Sequence, residues 1–378
     1  MRMGCPRCGS FYEADAKFCA RDGSRLIAAA TAPIIPGPGA AARRHSGHKP
    51  PAPPPVPGWV PGRTSPTGVS APPTEGARWL DYASLAGSVL DGRYLVVNKI
   101  ADGGMSIVYL GQDQENDGQR VAIKFLPPEL SEDMKAMERL RREADMGIRL
   151  QHRNVCSIIR LGETSDGLVY VVMPFIEGEV LCDRTYRLGS IPLGLAVKLV
   201  NDIAAGLHAA HELEIIHRDL KPENVMICAD ASGEEYAVVM DFGLAKDREA
   251  ARFLEKLTAT GVVLGTPEFM SPEQLRGKPL DRRTDVYSLG LLTYEMLTGK
   301  LPFPGESQQD LLLARLRSHP TPIRAMRPDL GFSAEIEKVL TKAMQRVPDE
   351  RYATAPEFAA AWTAAAEGGG IIGRLLGG

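Results

Sequence analysis

The sequence predicts an α+β fold of two lobes, one rich in β-strands and one helical, behind a small cysteine-containing segment and a linker. Between residues 94 and 190, short runs of β-branched and aromatic residues are broken by turns, which is typical of antiparallel strands. After residue 190 the apolar residues recur at helical spacing, which predicts a helical lobe. Before residue 94 long stretches hold too few apolar residues for a core.

The first element, residues 1–27, contains two turns of the C-x-x-C type, the second of which ends in aspartate. Its candidate metal ligands are Cys5, Cys8, Cys19 and Asp22. The arrangement resembles a short zinc ribbon, and a bound Zn²⁺ would explain how so short a segment folds. His45 or His48 is an alternative fourth ligand, because three thiolates with one carboxylate are an unusual set. The competing interpretation is a flexible segment with free thiols.

Residues 28–88 form the second element, and residues 366–378 form the last. The former consist mostly of Pro, Ala, Gly, Ser and Thr, a composition that predicts a disordered, semi-stiff linker. The latter are rich in glycine and are interpreted as a flexible tail. The linker and the cysteine-containing segment are both candidate sites for a protein partner.

The overall composition excludes several functional classes. The formal net charge is −3 over 378 residues, so a nucleic-acid partner is not expected. No apolar run reaches the roughly 18–20 residues of a membrane helix, and the first ten residues lack the apolar stretch of a secretory signal. We therefore expect a cytoplasmic protein without a transmembrane segment, in which the cysteines are reduced.

Residues 94–365 form the third element and carry the chemistry. The run VAIK ends a predicted strand with Lys124, whose ammonium group can neutralise nucleotide phosphates. A lysine with this task needs a carboxylate to hold it. The predicted helix that follows offers Glu138 and Glu143, and the RREA context favours Glu143.

The run HRDLKPENV, residues 217–225, is the strongest signal in the chain. Asp219 can accept a hydroxyl proton, Lys221 can reach a γ-phosphate, and Asn224 offers an amide oxygen to Mg²⁺. The run DFG begins with Asp241, 22 residues after Asp219, and adds a second oxygen ligand of the kind that Mg²⁺ prefers. Phosphoryl transfer needs little beyond such positioning and charge neutralisation.

These motifs resemble the protein kinase family over about residues 94–365. Further landmarks follow in the order of the family: Glu273 in MSPEQ, Asp285 in TDVYSLG and Arg351 in DERY. The resemblance implies that Glu273 pairs with Arg351 and that Asp285 braces the catalytic loop. HRDLKPEN and Thr266 in GTPEF are similar to serine/threonine kinases, where such a threonine bonds to the catalytic Asp and Lys. GGMS and GKLPFPGES look most like bacterial members.

The resemblance also implies an ATP site. Adenine would lie between Val108, Ala122 and Met226, with Met173 in the gatekeeper position. Pro174 would offer its carbonyl, and Ile176 both its N–H and its C=O. The full set of implied ATP-binding residues is Ile100, Ala101, Asp102, Gly103, Gly104, Met105, Ser106, Val108, Ala122, Lys124, Met173, Pro174, Ile176 and Met226.

Two glycines that the family usually has in its phosphate-binding loop are absent, and Ala101 and Ser106 stand in their places. Gly103 and Gly104 are expected at the hairpin tip, where a Cβ would keep the backbone from the phosphates. Ala101 and Ser106 would flank the tip, where a small side chain fits if φ stays negative. We expect weaker ATP binding with the chemistry preserved.

Arg218 precedes Asp219, an arrangement similar to kinases that are controlled through their activation segment, because a phosphate holds such an arginine well. Thr258 and Thr260 are the expected autophosphorylation sites, against the alternative that they are inert loop residues. Autophosphorylation of one copy by another would involve a homodimer.

The sequence thus predicts an ATP- and Mg²⁺-dependent kinase that phosphorylates Ser and Thr hydroxyls of protein substrates. The alternative is a pseudokinase that serves as a nucleotide-binding scaffold. The presence of the whole catalytic set disfavours it, because degenerate members typically lack one or more of Lys124, Glu143, Asp219, Asn224 and Asp241. A small-molecule phosphotransferase is disfavoured because the activation segment serves protein substrates.

Overall fold

The computed structural model describes residues 3–4, 11–12, 27–28, 85–103, 106–127, 133–242, 267–305 and 308–368. The chain divides into two units, of which the first comprises Met1–Pro57 and Thr64–Leu80. Only three two-residue strands of this unit are described: β1 (Met3–Gly4), β2 (Phe11–Tyr12) and β3 (Ile27–Ala28). They form an antiparallel sheet in the order β2-β1-β3. The four candidate zinc ligands lie outside the described residues.

The second unit begins with a six-stranded antiparallel sheet in the order β4-β5-β6-β7-β9-β8. Its strands are β4 (Val89–Leu90), β5 (Tyr94–Gly103), β6 (Ser106–Asp113), β7 (Gln119–Phe125), β8 (Arg160–Glu163) and β9 (Val169–Pro174). β9 is buried along nearly its whole length, as expected for an inner strand covered on both faces. One face carries an aromatic cluster in which Phe125 packs edge-on against Tyr109 with ring centroids 5.8 Å apart.

Helix α1 (Met134–Arg149) covers the other face of this sheet. Asp133 caps its first turn by accepting hydrogen bonds from the backbone N–H groups of Lys135 and Ala136, which satisfies donors that have no partner within the helix. Gly147 allows the close approach of the helix, because a Cβ there would lie 2.5 Å from Cδ1 of Ile158.

The helical lobe is built around one central helix. Its elements are β10 (Glu179–Val180), α2 (Leu181–Leu188), α3 (Leu193–His211), β11 (Val225–Ala229), β12 (Glu235–Val239), α4 (Pro272–Leu275), α5 (Arg283–Thr298), α6 (Gln308–Arg317), α7 (Ile323–Met326), α8 (Ala334–Ala343) and α9 (Ala355–Gly368). All but two residues of α5 are buried, so α5 is the hydrophobic axis of the lobe. Gly299 ends it with φ of 70°, the left-handed conformation that glycine adopts without strain.

By length and composition, one helix of the described part of the chain could cross a membrane. This helix is α3, whose mean hydropathy reaches 1.2. Leu199, Ile203 and Leu207 on it are fully buried in the same core as α5 and α9. The apolar residues of α3 are therefore accounted for by the packing of the helical lobe.

The two-lobed fold predicted from the sequence is confirmed: a β-sheet lobe precedes a helical one. The predicted strand runs correspond to β5, β6, β7 and β9, and the predicted helices to α1, α3 and α5. The sheet also includes residues before Tyr94, since β4 pairs with β5 and the N–H of Gly87 donates to the carbonyl of Val96.

Candidate active site

The loop between α3 and β11 brings three predicted site residues together. Nδ2 of Asn224 donates to Oδ2 of Asp219 at 2.9 Å and to the carbonyl of Asp219 at 2.8 Å. Nζ of Lys221 lies 3.3 Å from Oδ2 of Asp219. Because both N–H bonds of the Asn224 amide point to Asp219, its Oδ1 atom is the one that remains for a cation. The loop therefore holds a carboxylate, an ammonium group and an amide oxygen within one small volume.

His217 fixes the start of this loop. Its Nδ1 accepts from the backbone N–H of Asp219 at 3.2 Å, and its Nε2 donates to the carbonyl of Met240 at 2.8 Å. The imidazole also packs edge-on against Phe242, with 4.6 Å between ring centroids. Both nitrogens of the buried ring are thus satisfied, and the loop is tied to the segment that carries Asp241.

Asp285 on α5 braces the loop from behind. The fully buried carboxylate accepts from the backbone N–H of His217 at 2.8 Å, from that of Arg218 at 3.0 Å, and from Nε2 of His211 at 2.7 Å. Burial alone would raise the pKa of Asp285, but these hydrogen bonds and the two histidines hold it below its ordinary value. The bonds keep Arg218 at a φ of 65°, a conformation that is rare outside glycine.

Lys124 and Asp241 meet across the two lobes. Lys124 on β7 donates to Oδ1 of Asp241 at 2.9 Å, and both side chains are largely buried. Asp241 lies two residues after the end of β12 and has a φ of 55°. Its neighbour Met240 donates its N–H to the carbonyl of Asn224 at 2.8 Å, so the two predicted Mg²⁺ ligands lie on adjacent, hydrogen-bonded segments.

Glu143, the predicted partner of Lys124, lies on α1 and is half-buried beside Ala144, which packs into the core beneath the sheet. The alternative candidate, Glu138, lies more than a turn earlier and forms an ion pair with Arg142 at 2.5 Å on the exposed surface. The structure therefore engages Glu138 away from the site, and the pairing of Glu143 with Lys124 stays a prediction.

The predicted adenine-contacting residues belong to one apolar cluster that spans both lobes. Val108, Ala122 and Met226 are fully buried in it, and Met173 is 4% exposed. Met173 pairs with Ala122 across β9 and β7. Ala101 is a member, and Ile100 and Ile176 pack against it. Pro174 ends β9 opposite Val121, and its carbonyl accepts a weak hydrogen bond from Sγ of Cys156 at 3.9 Å.

In the phosphate-binding loop the strand pairing continues further than the sequence suggests. Gly103 pairs with Ser106, and Ala101 pairs with Val108. Gly103 is thus the last residue of β5, and the backbone of Asp102 also lies in the ladder. Neither Ala101 nor Ser106 is among the described residues with positive φ, so neither position needs glycine for its backbone conformation.

A buried ion pair fixes the segment that follows the activation loop. Arg351 donates to both carboxylate oxygens of Glu273, at 2.7 Å each, and Thr284 donates to Oε1 at 2.8 Å. Burial alone would raise the pKa of Glu273, but these bonds hold it below its ordinary value. The adjacent Gln274 donates through Nε2 to the carbonyl of Arg218 at 2.7 Å, which ties this segment to the catalytic loop.

Two further carboxyl groups near the catalytic loop, those of Glu223 and Glu268, are half-buried. Burial raises the pKa of Glu223, and the ammonium of Lys221 opposes the rise. Burial likewise raises the pKa of Glu268, against the positive charges of Arg315 and Lys221. Sequence reasoning missed both residues, as well as the partnership of His211 with Asp285. For His211 the only available signal was its helical position six residues before the HRD motif.

Three cysteines of the described region are free thiols: Cys156, Cys182 and Cys228. Cys156 and Cys228 lie in the apolar cluster of the adenine-contacting residues. Burial raises the pKa of all three, that of Cys228 to about 11. They are therefore protonated packing residues at neutral pH.

Several predicted site residues lie outside the described residues: Gly104 and Met105 of the phosphate-binding loop, Thr258, Thr260 and Thr266 of the activation segment, and Cys5, Cys8, Cys19 and Asp22. Within the described ranges, no group of three or more His, Cys, Asp or Glu side chains is arranged to hold a metal ion. Asn224 and Asp241 supply two oxygen ligands, which suits an ion that takes its other ligands from water and substrate phosphates.

A two-lobed fold with this loop, this lysine–aspartate pair and this buried ion pair defines a kinase, and the family comparison agrees. The model of the protein kinase domain family matches residues 94–363. The chain therefore belongs to the protein kinase family.

Its relatives include bacterial serine/threonine kinases. Serine/threonine-protein kinase pkn2 of Myxococcus xanthus is 40% identical over 282 residues, which cover 73% of this chain and 33% of that protein. PknB of Mycobacterium tuberculosis is 37% identical over 276 residues, covering 72% of this chain and 43% of the relative. The crystal structure of the M. tuberculosis PknI kinase domain matches with a TM-score of 0.59 and 26% identity, over 74% of this chain and 98% of that domain.

The domain is thus a bacterial, eukaryotic-like serine/threonine protein kinase domain, as the HRDLKPEN motif predicts. The family implies ATP, Mg²⁺ and protein substrates. The chain spans between a third and about half the length of the curated relatives it matches.

Proposed function

We propose that the whole chain is an active serine/threonine protein kinase that transfers the γ-phosphate of Mg-ATP to Ser and Thr hydroxyls of proteins. The observation that carries the proposal is the convergence of three side chains on one carboxylate oxygen. Oδ2 of Asp219 lies 2.9 Å from Nδ2 of Asn224 and 3.3 Å from Nζ of Lys221. The Lys124–Asp241 pair lies on the adjacent, hydrogen-bonded segment.

The proposed chemistry assigns one task to each group. Asp219 accepts the proton of the substrate hydroxyl while the hydroxyl oxygen bonds to the γ-phosphorus and the bond to the β–γ bridging oxygen breaks. Lys221 neutralises the transferred phosphoryl group, and Lys124 orients the α- and β-phosphates. Asn224 and Asp241 would hold Mg²⁺, which when bound neutralises the phosphate charge.

The residues fit these ligands. Asn224 presents an amide oxygen and Asp241 a carboxylate, and both are hard ligands that suit Mg²⁺. The apolar cluster around Val108, Ala122 and Met226 suits an aromatic base, as nucleotide sites are lined mainly by hydrophobic groups. The carbonyl of Pro174 and the backbone groups of Ile176 are the proposed hydrogen-bonding partners of adenine.

The test is phosphate transfer from labelled ATP to casein and to the chain itself, by wild type and by Asp219→Asn. Removing a general base lowers the rate by about 10²–10⁴-fold, so the variant should lose labelling while it still binds nucleotide. Asp329→Asn, at an exposed surface ion pair, is the matched control and should label like wild type. Equal labelling by Asp219→Asn, or none by wild type, would instead support the pseudokinase alternative.

Autophosphorylation of Thr258, Thr260 or both is the proposed means of activation. The support is Arg218, which lies beside Asp219 and is held by Asp285 through its backbone. A phosphate on the segment would supply the anion that an arginine in this position binds. Phosphopeptide mapping after incubation with Mg-ATP checks this proposal, and an active enzyme without phosphate between residues 244 and 266 would contradict it.

We propose that the chain has four parts. They are a zinc-binding segment over residues 1–27, a proline-rich linker over 28–88, the kinase domain over 94–365 and a tail over 366–378. Zinc would be held by Cys5, Cys8, Cys19 and Asp22. Metal analysis of the reduced full chain should find one zinc per molecule in wild type and less in Cys19→Ser. A zinc-free wild type would rule the site out.

The amino-terminal segment or the linker is the proposed site for a protein partner, and the proposed location is the cytoplasm. Phosphorylation of one copy by another, through a homodimer, is the proposed route of autophosphorylation. Wild type should then phosphorylate the inactive Asp219→Asn chain at a rate that rises with the concentration of both. A rate of self-labelling that is independent of dilution would indicate transfer within one copy.

A further inference from the structure

The segment Pro267–Ser271, here called the acceptor-side segment, is held by side chains of two different helices. The carbonyl of Phe269 accepts from Oγ of Ser288 on α5 at 2.9 Å. The carbonyl of Met270 accepts from Nη1 of Arg315 on α6 at 3.3 Å. Two successive carbonyls are thus fixed from outside the segment, and Ser271 then caps α4.

Arg315 is an unusual residue for this task because its side chain is among the largest that are fully buried, with 1% exposure. Its helix packs there through Leu312 and Leu316 against Leu275 and Met270. Burial lowers the pKa of Arg315, yet a guanidinium group remains charged in proteins. Burying such a group is unfavourable unless it finds good partners.

The surroundings of Arg315 link the acceptor-side segment to the catalytic loop. The positive charges of Arg315 and Lys221 both oppose the rise that burial causes in the pKa of Glu268, which lies within the segment. Lys221 in turn lies 3.3 Å from Asp219. Gln274, three residues after the segment, donates to the carbonyl of Arg218.

The adenine-contacting residues belong to a different cluster. Val108, Ala122 and Met226 pack in the core under the sheet, whereas Leu312 and Leu275 form a separate small cluster with α6. A substitution of Arg315 should therefore affect the binding and reaction of the protein substrate and leave ATP binding unchanged.

We propose that Arg315 is a positioning residue for the protein substrate: it fixes the acceptor-side segment so that the Ser or Thr hydroxyl meets Asp219 in the correct place. This inference rests on the proposed kinase function. Arg315 touches neither ATP nor the transferred phosphoryl group in this role, and it acts through the carbonyl of Met270 and through Glu268.

The test compares Arg315→Met, which keeps the length and removes the charge and donors, with Arg315→Lys, which keeps the charge. Arg317→Met, on the exposed side of the same helix, is the matched control. Because small misplacements can slow a reaction by up to about 10²-fold, kcat/KM for casein should fall about 10- to 100-fold in Arg315→Met. Arg315→Lys should recover part of the loss, and KM for ATP should stay within about twofold in all three variants.

Two further measurements separate positioning from general damage. Hydrogen exchange of the peptide 267–275 should accelerate in Arg315→Lys and not in Arg317→Met. This comparison does not need Arg315→Met, so it remains available if that variant fails to fold. Adding Glu268→Gln to Arg315→Met should restore part of the casein activity, because it removes a carboxyl group whose negative charge the guanidinium of Arg315 opposes.

The outcomes are distinct. Casein kinetics and hydrogen exchange in Arg315→Lys that match wild type would overturn the role of Arg315 and leave the kinase function standing. An equal loss of ATP affinity and casein turnover would overturn it as well, because the effect would then not be confined to the acceptor side. An inactive wild type would overturn the proposed function and this inference together.

Discussion

The buried pair between Arg351 and Glu273 offers a sharp test of how the helical lobe is held together. The Arg351 side chain has 0% exposure and that of Glu273 has 6%. Replacing Arg351 with methionine removes the two 2.7 Å hydrogen bonds to Glu273. The carboxylate of Glu273 then keeps Thr284 as its remaining side-chain donor. The carbonyls of Arg283 and Gln345 also lose a donor, at 2.9 and 2.7 Å.

The expected loss of stability in Arg351→Met follows from the charge of Glu273, which loses its buried partner. Breaking a buried ion pair on one side destabilises a protein by about 3–5 kcal/mol, because the remaining charge is left without compensation. We expect Arg351→Met to lower the free energy of unfolding by this amount at pH 7.5. The double variant Arg351→Met/Glu273→Gln should be less destabilised, because no buried charge remains.

The effect should depend on pH in a defined direction. In wild type the pKa of Glu273 is lowered from its ordinary value, so its stabilisation is fully present above the pKa of the unfolded chain and is lost as the pH falls through the lowered pKa. In Arg351→Met, burial raises the pKa of Glu273 above its unfolded value, so the penalty is full at high pH and shrinks as the carboxyl group becomes protonated. The difference between variant and wild type should therefore be smaller at pH 5 than at pH 7.5.

Urea unfolding at both pH values, followed by fluorescence and circular dichroism, measures these differences. Arg346→Met, which removes a half-buried arginine whose side chain bonds to the carbonyl of Arg317, is the control and should cost less than about 1 kcal/mol. A penalty below about 1 kcal/mol for Arg351→Met, or one that does not change with pH, would refute the reasoning.

Three further predictions concern the loop, the lobe junction and the phosphate-binding hairpin. Asp285→Asn should lower kcat by about 10²-fold with KM for ATP nearly unchanged, since an NH2 donor replaces one of the two oxygens that accept from the N–H groups of His217 and Arg218; steady-state kinetics check this, and an unchanged kcat would contradict it. Gly178→Ala would place a Cβ 2.4 Å from the carbonyl oxygen of Ile227, so thermal unfolding should report a loss of about 1–3 kcal/mol. Ala101→Gly removes a buried methyl group, so it should cost about 0.5–1 kcal/mol and change KM for ATP by less than about threefold; a tenfold fall in KM would show that the missing glycine matters.

The sequence predicted those parts of the fold that depend on local patterns. The alternating runs of β5 and β6 and the helical spacing of α3 and α5 depend on which residues are apolar, and that is visible along the chain. The proximity of Asp219 and Asn224 follows from their separation of five residues in one loop. The end of β5 was predicted less well, because only the pairing of Gly103 with Ser106 shows that the strand extends to Gly103.

The parts that could not be predicted depend on partners far away in the chain. Arg315 occurs in the run LARLRS, a local pattern that predicts an exposed side chain for Arg315 as it does for Arg317. Its burial depends on the carbonyl of Met270, 45 residues earlier. His211 likewise finds Asp285 at a separation of 74 residues. No local pattern encodes such contacts, since they arise when helices pack.

The three free thiols of the kinase domain have a practical consequence for chemical labelling. Cys156 and Cys228 are buried, and burial raises the pKa values of these and of Cys182. Alkylating reagents react with the thiolate form, so at neutral pH these three positions should be modified slowly in the folded protein. Fluorophores or cross-linkers added to the native chain should therefore leave these three thiols largely unmodified, so that none of them has to be removed from the kinase core before a label is introduced elsewhere.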